Sequence, residues 1–126
     1  ENFPACRIEN FFIDPSHPEL IEAALQELTE DRKLVVMFNS RVHLLSSFLQ
    51  KHPSPGRRVI GFDNLDRNME ALRSGLVTLL IAQHTERQSI RAVETLADYI
   101  IFGKKPLNRD NYVHMDILSR LNIDNY

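Results

Sequence analysis

A chain of 126 residues is long enough for one domain with a core of ordinary size. Its hydrophobic content of 43%, charged content of 25% and net charge of −2 are those of a globular protein with no electrostatic reason to bind nucleic acid or an anionic membrane. Cys6 stands alone, which excludes an internal disulfide and a thiolate metal cluster, and no apolar run approaches the roughly 20 residues that span a bilayer. The opening ENFPACRIEN lacks the basic-then-apolar order of a signal peptide, and its abrupt start reads as a piece of something longer.

RIENFFI at 7–13 reads as a first strand. DPSHPE then carries helix-start signals: Ser16 as N-cap, Pro18 in the first turn and Glu19 closing a capping box. In ELIEAALQEL (19–28), helical spacing puts Leu20, Ala23, Ala24 and Leu28 on one face. A polar connector leads into a strand, LVVMF at 34–38. Residues 41–52 are again helical, with apolar positions at Val42, Leu45, Phe48 and Leu49. PSPG at 53–56 is a turn, because two prolines and a glycine cannot continue the helix. A strand RVIGF (58–62), a short helix ended by Gly75, and a strand VTLLIA (77–82) follow. A long helix then covers about 86–102, with Ile90, Val93, Ala97, Ile100 and Ile101 as its apolar stripe. GKKPLNRDN is a loop, YVHMDI a last extended segment and SRLNIDNY a tail. The β-α-β-α alternation predicts an α/β fold, a three-layer sandwich with a mostly parallel sheet flanked by helices.

Three of these strands end on a polar residue able to grip a hydroxyl: Asn39, Asp63 and Gln83. Ligands of open α/β sheets sit outside the carboxyl ends of parallel strands, so two amides and a carboxylate at one sheet edge read as a binding site. Taken singly, Asn39 and Asp63 are most simply turn residues. Gln83 is a weak turn former, and three such residues at equivalent strand ends favour a shared site. The chemistry suits a polyol or sugar. A carboxylate accepts from two adjacent hydroxyls, and each amide both donates and accepts. Leaving such a group unpaired in a dry cleft costs about 1–3 kcal/mol, enough to separate sugar epimers.

None of the three is a nucleophile, and the chain reads as a binding protein rather than an enzyme. Ser40, Asp63 and His84 all follow strands, but Ser40 lies in FNSRV rather than a G-x-S-x-G elbow and reads better as a helix N-cap. The histidines at 17, 43, 52, 84 and 114 show no i, i+4 pairing or carboxylate spacing that marks a zinc site. No glycine-rich phosphate loop is present, so no cofactor or metal is expected. Arg57-Arg58 and Lys104-Lys105 are short basic pairs beside turns, the latter suited to the C-terminal dipole of the long helix.

Several segments also resemble a known family. VIGFDN (59–64) is similar to the V-x-G-[FY]-D-[DN] segment of the Lac/Gal repressor family and of the periplasmic sugar-binding proteins that share its fold. IAQHTERQSIRAV (81–93) resembles their I-x-Q-x-P-x-x-Q-G-x-x-A-V segment. VMFNSRVHLL (36–45) resembles the corner that usually reads A-N-D-x-x-A-L-G, and MDILSRLNI (115–123) resembles the last segment of those repressors. The departures are Ser40 for the usual acidic residue, Thr85 for the usual proline and Ser89 for the usual glycine.

The resemblance implies one lobe of a type I periplasmic-binding-protein-like fold. Asn39, Asp63 and Gln83 match positions at which the family's carboxy-terminal lobe contacts sugar. It further implies a cytoplasmic transcriptional regulator of which residues 1–126 form the C-terminal effector-binding lobe. Residues 86–116 would cross toward an amino-terminal lobe outside this sequence, and a sugar would be the small-molecule effector. DNA would be met only through an N-terminal helix-turn-helix, with no membrane partner and with a homodimer as the functional unit. A periplasmic sugar-binding receptor of a transport system is the alternative. The apolar stripe of the long helix is expected either to pack back on its own lobe or to pair with another copy.

Overall fold

The computed structural model describes residues 7–14 and 16–126; Cys6 and Pro15 lie outside them. Helix α1 (Pro18–Thr29) precedes strand β1 (Leu34–Val36), and then α2 (Val42–Lys51), β2 (Arg58–Phe62), α3 (Asp66–Arg73), β3 (Leu79–Ala82), α4 (Thr85–Phe102) and β4 (Asp116–Leu118) follow. A short 3-10 turn at Ile123–Asn125 ends the chain. The four strands lie in the order β1-β2-β3-β4. The first three are parallel, and β4 runs antiparallel to β3. The α/β class, the mostly parallel sheet and the flanking helices are those the alternation predicted.

Register explains the core. Val35 pairs with Val59, Gly61 with Leu80, and Leu80 with Leu118, so these residues share one face of the sheet. All of them are buried. Val42, Leu45, Phe48 and Leu49 of α2 pack on that face together with Ala71 and Leu72 of α3. The reverse face is less covered: Leu34 and Ile117 are exposed, and Ile60, Phe62, Leu79 and Ile81 are half-buried.

Several local expectations change. Residues 7–13 form no strand: Ile8 and Phe12 face solvent, and the segment is held by side chains. Glu9 pairs with Arg7 and Arg32, and the Arg32 guanidinium lies 4.6 Å from the Phe11 ring centre. An apolar run becomes a strand only where a sheet edge receives its backbone. Ser16 does not cap α1; its backbone N–H and hydroxyl both donate to Asp14, and His17 occupies the cap position. The buried face of α1 is also rotated, to Ile21, Leu25, Leu28 and Thr29, which leaves Leu20 exposed. β3 starts at Leu79 rather than Val77, because the Val77 N–H turns to Ala71 and the Thr78 hydroxyl takes the Val59 N–H.

The helix ends follow the sequence more closely. Gly75 (φ +81°) receives α3, and Gly103 (φ +63°) ends α4. Lys104 then sits 3.7 Å from Asp98, on the last turn of α4. Ile90, Val93, Ile100 and Ile101 of α4 are all exposed, and no α4 residue is buried, so the stripe does not pack back on the described residues. None of the described helices is long and apolar enough to cross a membrane.

Candidate functional site

The strand register brings the three strand-end residues to one edge. Val36 pairs with Ile60 as the last pair of β1 and β2, and Asn39 and Asp63 each lie three residues beyond it at the carboxyl ends of these strands. Phe62 pairs with Ile81, which sets Ala82 level with Asp63 and Gln83 one step beyond. Adjacent strands lie about 4.8 Å apart, so the three side chains leave neighbouring corners of the carboxyl edge.

Each corner is built differently. Asn39 is exposed, and its Oδ1 accepts the Arg41 N–H at 2.9 Å, the local turn role open to any asparagine after a strand. Its Nδ2 remains available as a donor. Asp63 adopts a left-handed backbone (φ +67°) just after β2, and its N–H bonds the Ile81 carbonyl at 2.9 Å. Its Oδ1 is buried with no hydrogen-bond partner among the described residues. A carboxylate oxygen in that position costs stability until a donor reaches the group, and rotation about χ2 exchanges the two oxygens. Gln83 is half-buried, and its backbone carbonyl accepts from the Gln88 side chain, which leaves its own amide out of that contact.

Asn68, not singled out in the sequence, holds two of these corners together. It is fully buried in the first turn of α3. Its Nδ2 donates to the carbonyls of Ser40 at 3.0 Å and of Phe62 and Asp63 at 3.1 Å. Its Oδ1 accepts the His43 N–H at 3.2 Å, one of the donors that the start of α2 leaves unpaired. Ser40 therefore serves through its carbonyl, and Arg41 rather than Ser40 stands at the helix cap. An asparagine three residues after a turn offers no periodicity signal, and its role is visible only once β1 and β2 are paired.

Aromatic surface adjoins the polar groups. The rings of Phe38 and Phe62 are 5.6 Å apart, and Phe38 is 79% exposed at the strand end before Asn39. A flat apolar face beside a carboxylate and two amides suits a ring with C–H and O–H surfaces.

His84 closes the edge at β3, also in a left-handed conformation (φ +51°). Its Nε2 lies 2.8 Å from Asp116 Oδ2 and its Nδ1 3.2 Å from the Tyr126 hydroxyl, so its ring partners are not Ser40 or Asp63. Partial burial raises the Tyr126 hydroxyl above its ordinary value of 10.0; the Asp116 charge adds to this and Arg87 opposes it.

Strand order, the β3–β4 antiparallel pair and the corner geometry allow comparison with solved structures. A Bacteroides fragilis protein provisionally classed as a LacI transcriptional regulator superposes with a TM-score of 0.75 and 35% identity, over 83% of this chain and 37% of that one. An Actinobacillus succinogenes periplasmic solute-binding protein with bound D-allose matches with a TM-score of 0.70 at 16% identity, over 84% of this chain and 37% of that one. A Caulobacter myo-inositol-binding protein matches with a TM-score of 0.67 at 14% identity, over 85% and 37%. The fold is that of the type I periplasmic-binding proteins. This chain spans little more than a third of the length of those relatives. No family model matches its sequence, and no curated protein does.

Proposed function

We propose that this chain is the carboxy-terminal, effector-binding lobe of a Lac/Gal-type transcriptional regulator that senses a sugar or related polyol. The observation that carries the reading is the 35% identity to the Bacteroides fragilis regulator, against 14% and 16% for the two sugar-binding proteins. The site chemistry supports a hydroxyl-rich ligand. Asp63, with a carboxylate oxygen that lacks a donor among the described residues, is the principal acceptor; Asn39 Nδ2 and the Gln83 amide orient the ring, and Phe38 offers it an apolar face. These groups hold a ligand rather than react with it.

The exposed stripe of α4 fits a helix that crosses to a second lobe, since none of its residues is buried against the described residues. In the whole regulator, a sugar that binds the closed cleft better than the open one would shift the dimer toward one geometry and so change operator affinity. The regulator would act in the cytoplasm and meet DNA through a separate helix-turn-helix. The second reading, an exported sugar receptor, is favoured by the likeness to the D-allose-bound and myo-inositol-bound proteins. A helix-turn-helix encoded upstream of Glu1 supports the first reading, and a cleavable leader supports the second.

The binding test is a titration of the intact protein with a panel of pentoses, hexoses and inositols. One of these sugars should raise the melting temperature of the wild type and leave a folded Asp63→Asn variant unmoved. Equal affinity in that variant would remove Asp63 from the site.

A further inference from the structure

The antiparallel pairing of β3 with β4 gathers residues that sequence spacing keeps 30 apart. Ala82 pairs with Asp116 and Ile81 with Ile117, so continuing the register by two residues sets His84 opposite His114. Directly opposite and two-residue-diagonal positions share one face of such a ladder. His84, His114 and Asp116 therefore converge, with one possible ligand atom from each lying within 4.8 Å of the others. The His84 and His114 rings are 5.2 Å apart.

We propose that His84, His114 and Asp116 form a binding site for a divalent transition-metal ion of the zinc class. Two imidazoles and one carboxylate are a donor set for zinc, cobalt or nickel, whereas magnesium and calcium take oxygen ligands. The 2.8 Å between His84 Nε2 and Asp116 Oδ2 is a hydrogen-bond distance; bonds of about 2.1 Å at a tetrahedral angle hold ligand atoms about 3.4 Å apart, so an ion would replace the shared proton once the two side chains part by about half an ångström. His114 is exposed, so its ring is free to rotate and complete the set.

The surroundings are also arranged for this. The His84 side chain is only 16% exposed and is fixed by a left-handed backbone, while Asp116 at 41% leaves a path for an ion to enter. An Nε2 that binds metal must carry its proton on Nδ1, and the Tyr126 oxygen 3.2 Å away accepts a hydrogen bond from that atom. Such an outer contact fixes the tautomer and orientation of a liganding histidine. The ion would tie the residue before α4 to β4 and so fasten both ends of the excursion 85–115. It would lie beside Gln83, at the margin of the proposed sugar site, but it does not depend on that site.

The test uses the full chain, stripped with a chelator and titrated with Zn²⁺ by calorimetry and with Co²⁺ by visible absorption. The expected result is one ion per chain, a Co²⁺ ligand-field band and a raised melting temperature, with no response to Mg²⁺. His114→Ala and Asp116→Asn should each weaken binding about tenfold or more, and His17→Ala should leave it unchanged. His114 is exposed, so its variant is expected to fold, which its melting curve verifies. Absence of binding by the wild type, or binding that survives both substitutions, overturns the proposal.

Discussion

Gly61 lies under Val42 so closely that a Cβ on the glycine would sit 2.7 Å from Val42 Cγ1 and 2.8 Å from its Cβ and Cγ2. Both residues are buried, where strand β2 meets the first residue of α2. Gly61→Ala should therefore destabilise by about 1–3 kcal/mol through overpacking. Val42→Ala in the same chain should recover part of that loss. A urea double-mutant cycle measures it, and strict additivity would refute the contact.

Asn68 should tolerate substitution still less. Asn68→Ala leaves the His43 N–H and three carbonyls without their buried partner, a loss of about 2–3 kcal/mol in chemical denaturation. Asn68→Asp should be worse at neutral pH, because it turns a negative oxygen toward those carbonyls. The order of the two urea midpoints distinguishes a hydrogen-bonding role from simple packing.

How much of this was legible in the sequence depends on whether the signal is local. The apolar positions of α2 and the stop at Gly75 came from spacing and glycine alone, and both stand. Residues 7–13 had the composition of a strand but pair with no strand of the described sheet, and composition carries no information about partners. The strand-end argument offered Asn39, Asp63 and Gln83 as candidates because it needs only strand direction, and all three do follow the carboxyl ends of adjacent parallel strands. Asn68 and the His84–Asp116 pair were out of reach, since each depends on which strands lie side by side.

The amino-terminal segment should show a pH response. The Arg32 side chain, through its hydrogen bond and then its charge, holds the Glu9 carboxyl below its ordinary 4.5, with Arg7 adding to the effect. A depressed carboxylate stabilises above its unfolded value, and that contribution disappears as pH falls through the lower folded value. Residues 7–14 should therefore loosen only below about pH 4.5, seen as faster amide exchange. Glu9→Gln should give the loosened behaviour at every pH.

The α4 stripe offers a separate test. Val93→Lys with Ile100→Lys changes residues that are 67% and 69% exposed, so the stability of the isolated chain should move by less than about 1 kcal/mol. Self-association should fall, as read by sedimentation. A large drop in melting temperature would mean that the helix is buried against its own chain.

Asp63 and His84 share one property that bears on engineering this protein. Each is a non-glycine residue with φ above +50° at the corner after a strand. Glycine adopts that backbone freely, whereas other residues give up about 1 kcal/mol there, with aspartate among the more tolerant. A search for heat-resistant variants would thus be drawn to Asp63→Gly and His84→Gly, and each gain in melting point would erase a carboxylate or an imidazole at the sheet edge. If the proposed sugar and metal sites hold, selection for thermal endurance and selection for ligand response pull these two positions in opposite directions.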